Sequence, residues 1–427
     1  MIVRLRYGRD LLTADLRGLR CQELKPATPR LVVPLAELVR ASLDRPATGP
    51  PLHELASGRR VCTILVPDAT RSASLPEVLP PVLHRLASAG LRPNAITVLV
   101  ACGTHPPVPD AEVRALVGSL PAGMTLIQHD ARDESVLRPA GTLPSGLAVR
   151  LHRALLDADL VVAISKVQHH YFAGFGGGPK LVFPGVAGYD EIQANHARVL
   201  DLAATPPRRH PGCEPGRLTG NPVAEEIAAA SALRTPDFAV LLVDAEEGKP
   251  AWSEGGPLSA CFPAACARAR EMFELPGGPF DRIIVSAGGA PRDHTLIQAH
   301  KALDAACRFA SPGAEVVFVA ACDGGAGSPA MEPFLADPRP ERILELLAEH
   351  YIQYGQTTLR LVEKTARFRV TALSALPAAL QTRLGMTPAG DLGAILDRWR
   401  EEAPGATVAV FPGPPVFPAR PTDPVVQ

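Results

Sequence analysis

Short apolar runs without polar alternation constrain this chain more than any other feature. Val61–Pro67 (VCTILVP), Ala95–Ala101 (AITVLVA), Leu160–Ile164 (LVVAI) and Phe238–Val243 (FAVLLV) read this way, and Arg282–Ser286 (RIIVS) and Ala314–Ala320 (AEVVFVA) repeat the pattern. A strand that is apolar on both faces must be covered on both faces. The stretches between the runs read as helices, near Leu75–Leu86, from Asp110 to about Val117, from Asp190 to about Leu202, over Asp293–Phe309 and over Pro340–His350. Strands joined by helical crossovers predict an α/β chain of two domains, with mainly parallel sheets flanked by helices. The stretch Glu247–Gly278, rich in proline and glycine, marks the boundary. The expected domains are therefore 1–260, completed by a strand at Thr407–Phe411 within 405–427, and 270–400.

Composition narrows the class. With 427 residues, 46% hydrophobic, the chain fills two full cores. A net charge of −1 provides no field for nucleic acid or acidic membranes, so neither is expected as a partner. No apolar run reaches the ~20 residues a membrane helix needs, and MIVRLRYGRDLL has no signal-peptide h-region. A cytoplasmic protein is expected. The eight cysteines are scattered with no C-x-x-C pair, the habit of small core residues rather than of a zinc ribbon.

Ligands of open α/β sheets bind beyond the carboxyl ends of strands, and the unusual residues fall there. Asp68-Ala69-Thr70-Arg71 follows the first run, and Gly103-Thr104-His105 the second. Gln168-His169-His170-Tyr171 and Gly174-Phe175-Gly176-Gly177-Gly178-Pro179-Lys180 follow the third, and Gln298 and Lys301 come after the Arg282–Ser286 run. One active site in the cleft between the domains is the expectation. The glycine loop is not a Walker A motif, because Pro179 replaces the second glycine and Leu181 follows Lys180; nor does it complete G-x-G-x-x-G. It can still offer backbone N–H groups to an anion, with Lys180 as counter-charge or nucleophile. Arg71 suits a carboxylate or phosphate clamp. His105, His170 and His196 suit proton transfer or metal ligation. Gln298 and Lys301, at i, i+3, share a helix face. From the sequence, either His169 or His170 could be the one that faces the site.

These residues resemble the nickel-dependent lactate racemase family, over roughly residues 60 to 310. The resemblance rests on His169-His170-Tyr171-Phe172-Ala173-Gly174-Phe175-Gly176-Gly177-Gly178-Pro179-Lys180, on Asn195-His196, on Asp68-x-Thr70-Arg71, on Thr104-His105 and on Gln298-x-x-Lys301. It implies a Ni(II)-pyridinium-3,5-bisthiocarboxylic acid mononucleotide, the nickel-pincer nucleotide, linked covalently to Lys180, with His196 as the protein's nickel ligand. Asp68, Ala69, Thr70 and Arg71 would then hold the nucleotide. His105 and His170 would be the catalytic pair, and Arg71, Gln298 and Lys301 would hold the substrate carboxylate or the cofactor phosphate. The implied activity is inversion at C2 of lactate or a related 2-hydroxy acid by proton-coupled hydride transfer. Separate biosynthetic proteins would make and deliver the cofactor. Two rival readings carry the same motifs: a non-catalytic nucleotide or nickel-binding module, and a nicotinamide-dependent 2-hydroxyacid dehydrogenase. The missing dinucleotide fingerprint weighs against the latter.

Overall fold

A computed structural model describes residues 1–27, 33–71, 73–246, 249–403 and 405–419. The tail beyond residue 419, and Glu247 at the start of the expected boundary, lie outside the described residues. The chain divides into two compact units. One comprises 28–200 with 209–271, and the other 1–27, 201–208 and 272–427.

In the first unit the apolar runs become a six-stranded sheet. Its order is Lys249–Gly256, Phe238–Glu246, Leu160–Lys166, Cys62–Pro67, Ile96–Ala101, Thr125–Gln128, parallel except for the antiparallel first pair. Ile64, Val66, Val98, Val162 and Leu242 pack with Val39, Leu43, Val78, Val82 and Val113 of the helices Leu35–Asp44, Leu75–Ser88 and Asp110–Val117. The residues between them in sequence, Leu65, Leu99, Val161, Ala163 and Leu241, are also fully buried, which is why the strands show no alternation. Leu160–Lys166, Cys62–Pro67 and Ile96–Ala101 are neighbours and parallel. The three segments that leave their carboxyl ends therefore emerge along one edge.

The second unit holds an all-parallel six-stranded sheet. Its order is Met386–Pro388, Arg369–Leu373, Ala310–Val319, Phe280–Ser286, Thr407–Phe411, Arg20–Glu23. This corrects the expected return of Thr407–Phe411 to the first sheet: the strand lies between Phe280–Ser286 and Arg20–Glu23. Residues 1–27 belong here too. The reason is in their pattern: in the hairpin Ile2–Tyr7 and Asp10–Asp15, Val3, Leu5 and Ala14 bury one face, with Leu16, against Ile284, Val317, Val410 and Trp399. That strict alternation marks a half-buried strand covering a sheet. Helix lengths also shift: Asp190 stands in a helix that closes at Ala197, and Leu296–Ala306 is shorter at both ends than expected. Among the described residues no helix is long and apolar enough to cross a membrane, and no disulfide forms.

Candidate active site

The first unit gathers most of the singled-out residues. Asp68 leaves its strand into the short 3-10 turn Ala69–Arg71 and stays buried. Its Oδ2 takes a hydrogen bond from His105 Nδ1 at 2.5 Å, and its Oδ1 accepts from Thr70 Oγ1 at 2.7 Å. Burial alone would raise the Asp68 carboxyl. The His105 bond and charge, the Thr70 bond and the Arg71 guanidinium outweigh it and hold the group below its ordinary value. In its neutral form the His105 ring, with Nδ1–H committed to Asp68, presents Nε2 as a lone pair.

His170 is set the other way. Its Nδ1 accepts the Ala173 N–H at 3.2 Å, so the neutral ring carries its proton on Nε2. The short strand Gln168–His170 pairs with Gly174–Gly176, so alternate residues take opposite faces. His169 packs against the Phe175 ring, with centroids 4.9 Å apart. His170 stacks on Tyr171 and meets Phe172 edge-on at 4.7 Å, and Phe172 in turn meets the His196 ring at 5.3 Å. Of the two histidines, His170 is thus the one joined to His196.

His196 lies near the end of the helix Tyr189–Ala197 and is buried. Its Nδ1–H donates to the Ile192 carbonyl at 2.8 Å, leaving Nε2 as a lone pair. Burial, then the Lys180 charge, with Arg71 adding, push its pKa down to about 3, against the bond to Ile192. This is a neutral imidazole beside two cations, unsuited to proton transfer near neutral pH and suited to metal ligation. The helix is pinned at both ends. Glu191 accepts from Arg150, and buried Asn195 donates to the Val223 carbonyl and to Glu226 at 3.0 Å.

The glycine loop brings Lys180 and Arg71 to that imidazole. Gly177 has φ +77, and a Cβ there would lie 1.9 Å from the Lys166 carbonyl oxygen; the Gly178 N–H donates to Ser165 Oγ at 2.9 Å. Lys180 follows in the 3-10 turn Gly178–Leu181, its Nζ 5.7 Å from the Phe172 ring centre. A Cβ on Gly176 would lie 3.4 Å from Arg71 Nη1, so the bare backbone makes room for the guanidinium. Glycine here serves close approach of the loop to the Lys166 backbone and to the Arg71 guanidinium.

A cavity of about 150 Å³ opens beside His105, walled by Thr104, Pro106, Asp130, Arg132 and Tyr189 among others. Arg132 lies 3.5 Å over the Tyr189 ring. Neither residue was singled out by the sequence, nor was Ser165 or Glu226. Ser165 lies in the strand Leu160–Lys166 and Glu226 within the helix Pro222–Ala232, and neither carries a motif of its own.

Gln298 and Lys301 lie in the other unit, on Leu296–Ala306, where Lys301 Nζ donates to Gln298 Oε1 at 2.6 Å. His294, four residues before Gln298, pairs with Asp323 at 2.8 Å.

The donor set can be tested against the implied cofactor. Among the described residues no group of three or more His, Cys, Asp or Glu gathers as a metal site. A metal on His196 would take its other ligands from a non-protein group, and imidazole with soft sulfur suits nickel. A lysine amine and an arginine beside the ring suit an acidic nucleotide. The residues fit the group.

The chain is also similar to known proteins of one family. Residues 7–205 match the lactate racemase N-terminal domain family. A lactate racemase of Lactiplantibacillus plantarum is 31% identical over 303 residues, 70% of this chain and 69% of that protein. One from Thermoanaerobacterium thermosaccharolyticum is 27% identical over 329 residues, 76% and 75% of the two chains. The solved lactate racemase apoprotein of T. thermosaccharolyticum superposes with a TM-score of 0.87 at 24% identity, covering 99% of this chain and all of that one. A Thermotoga maritima crystal structure gives 0.68 at 16% identity, over 92% and 99%. The chain belongs to the lactate racemase family of isomerases.

Proposed function

We propose that this chain inverts C2 of a 2-hydroxy acid, with lactate, the substrate in its relatives' names, as first candidate, using a tethered nickel-pincer nucleotide. The observation that carries the reading is the opposite setting of two imidazoles on one unit. His105, anchored through Nδ1 on Asp68, presents a lone pair, while His170, anchored through Nδ1 on the Ala173 N–H, presents a proton. A racemase needs such a pair, since the group that takes the hydroxyl proton of one enantiomer must be matched by one that returns it to the other. When bound, the cofactor supplies a reversible hydride acceptor. Lys180 would hold it covalently, His196 would ligate its nickel, and the Asp68–Arg71 turn would hold its nucleotide. Arg71, Gln298 and Lys301 would hold the substrate carboxylate or the cofactor phosphate. Biosynthetic proteins for the pincer are the partners this reading requires. Thiols without disulfides fit a reducing compartment, and the cytoplasm is the proposed location.

The test uses protein from a host that makes the cofactor. His105→Ala and His170→Ala should each lower lactate racemisation by ~100-fold or more, with the Lys180-linked mass retained. Full activity in both variants defeats the two-base reading. Cofactor binding without turnover across a panel of 2-hydroxy acids favours the binding module, and reduction of added NAD favours the dehydrogenase.

A further inference from the structure

The two imidazoles of the proposed proton transfers are supported differently. His105 rests directly on the Asp68 carboxylate. His170 rests on a backbone group, the Ala173 N–H, at 3.2 Å. That N–H is one end of a planar peptide unit whose other end is the Phe172 carbonyl. The carbonyl accepts a hydrogen bond from Asn221 Nδ2 at 2.9 Å, and both bonds are buried. One rigid peptide therefore joins Asn221 to His170 Nδ1.

Asn221 is wholly buried, and both ends of its amide are engaged. Nδ2 donates to the Phe172 carbonyl and, at 3.0 Å, to the Arg217 carbonyl. Oδ1 accepts the Ala224 N–H at 3.3 Å and the Cys213 thiol at 3.4 Å. The bond from Ala224 caps the helix Pro222–Ala232. Capping accounts for the oxygen alone. Ser, Thr and Asp also cap helices well, but of these residue types only the amide brings two N–H donors.

The segment that carries the cap is locked to the histidine segment by backbone as well. The Gly216 N–H donates to the Gly174 carbonyl at 2.8 Å, and a Cβ on Gly174 would lie 2.2 Å from the Arg217 carbonyl oxygen. The Phe172 ring, whose carbonyl Asn221 holds, meets His170 edge-on at 4.7 Å and His196 at 5.3 Å. Asn221 thus fixes the backbone at the residue that lies between the two imidazoles.

We infer that Asn221 is a positioning residue for His170: through the Phe172–Ala173 peptide it holds the imidazole with Nδ1 as acceptor and the proton on Nε2. Which ring nitrogen carries the proton is set by the bond the other one makes. Hydrogen bonds in a chain polarise one another, so a donor on the carbonyl strengthens the N–H at the far end of the peptide. Asn221 does for His170, through one peptide, what Asp68 does for His105 directly. The outcome is opposite, because a carboxylate fixes a proton on Nδ1 and an N–H fixes a lone pair there. The use of the Nε2 proton in catalysis rests on the racemase reading; the relay rests on geometry alone.

The experiment reads the tautomer and the turnover separately. Nitrogen NMR of the full-length chain with labelled histidine gives the tautomers of its 12 histidines, and the signal lost in His170→Gln identifies His170. Asn221→Asp keeps the shape and the capping oxygen and removes both donors. Asn221→Ser keeps a neutral capping oxygen whose position is one bond short of the amide nitrogen, and guards against a folding failure of the buried acid. Wild type should show neutral His170 protonated on Nε2, and both variants a shift of population towards Nδ1–H. In protein loaded with cofactor, kcat for lactate should fall ~10–100-fold in both variants, with KM, the Lys180-linked mass and the nickel content as in wild type. Neutral His170 protonated on Nδ1 in wild type overturns the inference without any variant. So does a fall in kcat with the tautomer unchanged or the linked mass lost, which is a merely structural role, and so does wild-type kcat in Asn221→Ser. A tautomer shift in the variants of an enzyme whose loaded wild type racemises no 2-hydroxy acid overturns the racemase reading instead and leaves the relay standing.

Discussion

Gly177→Ala is the sharpest test of the loop that presents Lys180. The added Cβ would sit 1.9 Å from the Lys166 carbonyl oxygen, a backbone atom of a buried strand that cannot swing aside. The residue also holds φ +77 with ψ −168, a region essentially reserved for glycine, where a side chain costs about 1–3 kcal/mol. Overpacking a tight site adds roughly 1–3 kcal/mol. The loop's anchor from Gly178 N–H to Ser165 Oγ is one residue away and would shift with it. The expected loss is about 3 kcal/mol, a large share of the ~5–15 kcal/mol that holds a domain together. Gly176→Ala is the control. Its Cβ comes nearest to the end of the flexible Arg71 side chain, at 3.4 Å, with Gln168 at an ordinary 3.8 Å, and its φ is not in the left-handed region. That variant should lose less than about 1 kcal/mol while displacing the guanidinium. Urea unfolding followed by tryptophan fluorescence separates the two. The chain has two tryptophans, Trp252 in the unit with the loop and Trp399 in the other, so a Trp399→Phe background reports the relevant unit alone. A midpoint for Gly177→Ala within about 0.5 kcal/mol of its parent, or equal losses in both variants, would refute the reasoning.

Other expectations follow from the same geometry. His152 is buried, its pKa pushed down to about 4 by burial, then by neighbouring His129 and Arg153. The unfolded ring takes up a proton near 6.5 and the folded one only near 4, so the neutral ring's contribution is complete above pH 6.5 and is lost as pH falls towards 4. His152→Gln should flatten that part of the pH–stability curve measured by urea unfolding; an unchanged slope argues against the burial account. The depressed Asp68 carboxyl contributes stability above its ordinary value of 3.8, lost as pH falls below it. Asp68→Asn should remove that acid-side loss and, by freeing the His105 ring, lower racemisation on the order of 100-fold; wild-type turnover in the variant would show that the bond to His105 is incidental.

Much of the fold was legible because burial on both faces leaves a sequence signature. Val61–Pro67, Ala95–Ala101 and Leu160–Ile164 read as strands without alternation, and each is one. The placement of the ends of the chain was harder to read. Thr407–Phe411 is as apolar as the strands of either sheet, and register between sheets depends on neighbours such as Arg20–Glu23 that carry no apolar pattern. Gln353–Arg367 escaped because polar residues such as Gln356 and Arg360 are buried together with Leu359, Leu361 and Val362, so its burial does not follow the amphipathic rule used to find helices. The motif residues that follow the three neighbouring strands of the first unit came together as strand order dictates, whereas Gln298 and Lys301 lie in the other unit. Partners that set their chemistry were invisible: that Asp68 anchors His105 and that Ile192 fixes the His196 tautomer are facts of distance. The choice between His169 and His170 needed the pairing with Gly174–Gly176.

The proposed function requires that Lys180 carry a nickel-bearing nucleotide ligated by His196. Its most direct test is the intact mass of the denatured chain, with nickel measured on the native sample, from a host that makes the pincer cofactor. The account predicts a nucleotide-sized adduct on wild type that is absent from Lys180→Ala. It also predicts near-stoichiometric nickel that His196→Ala loses while keeping the adduct. An unmodified, nickel-free wild-type chain from that host would contradict it.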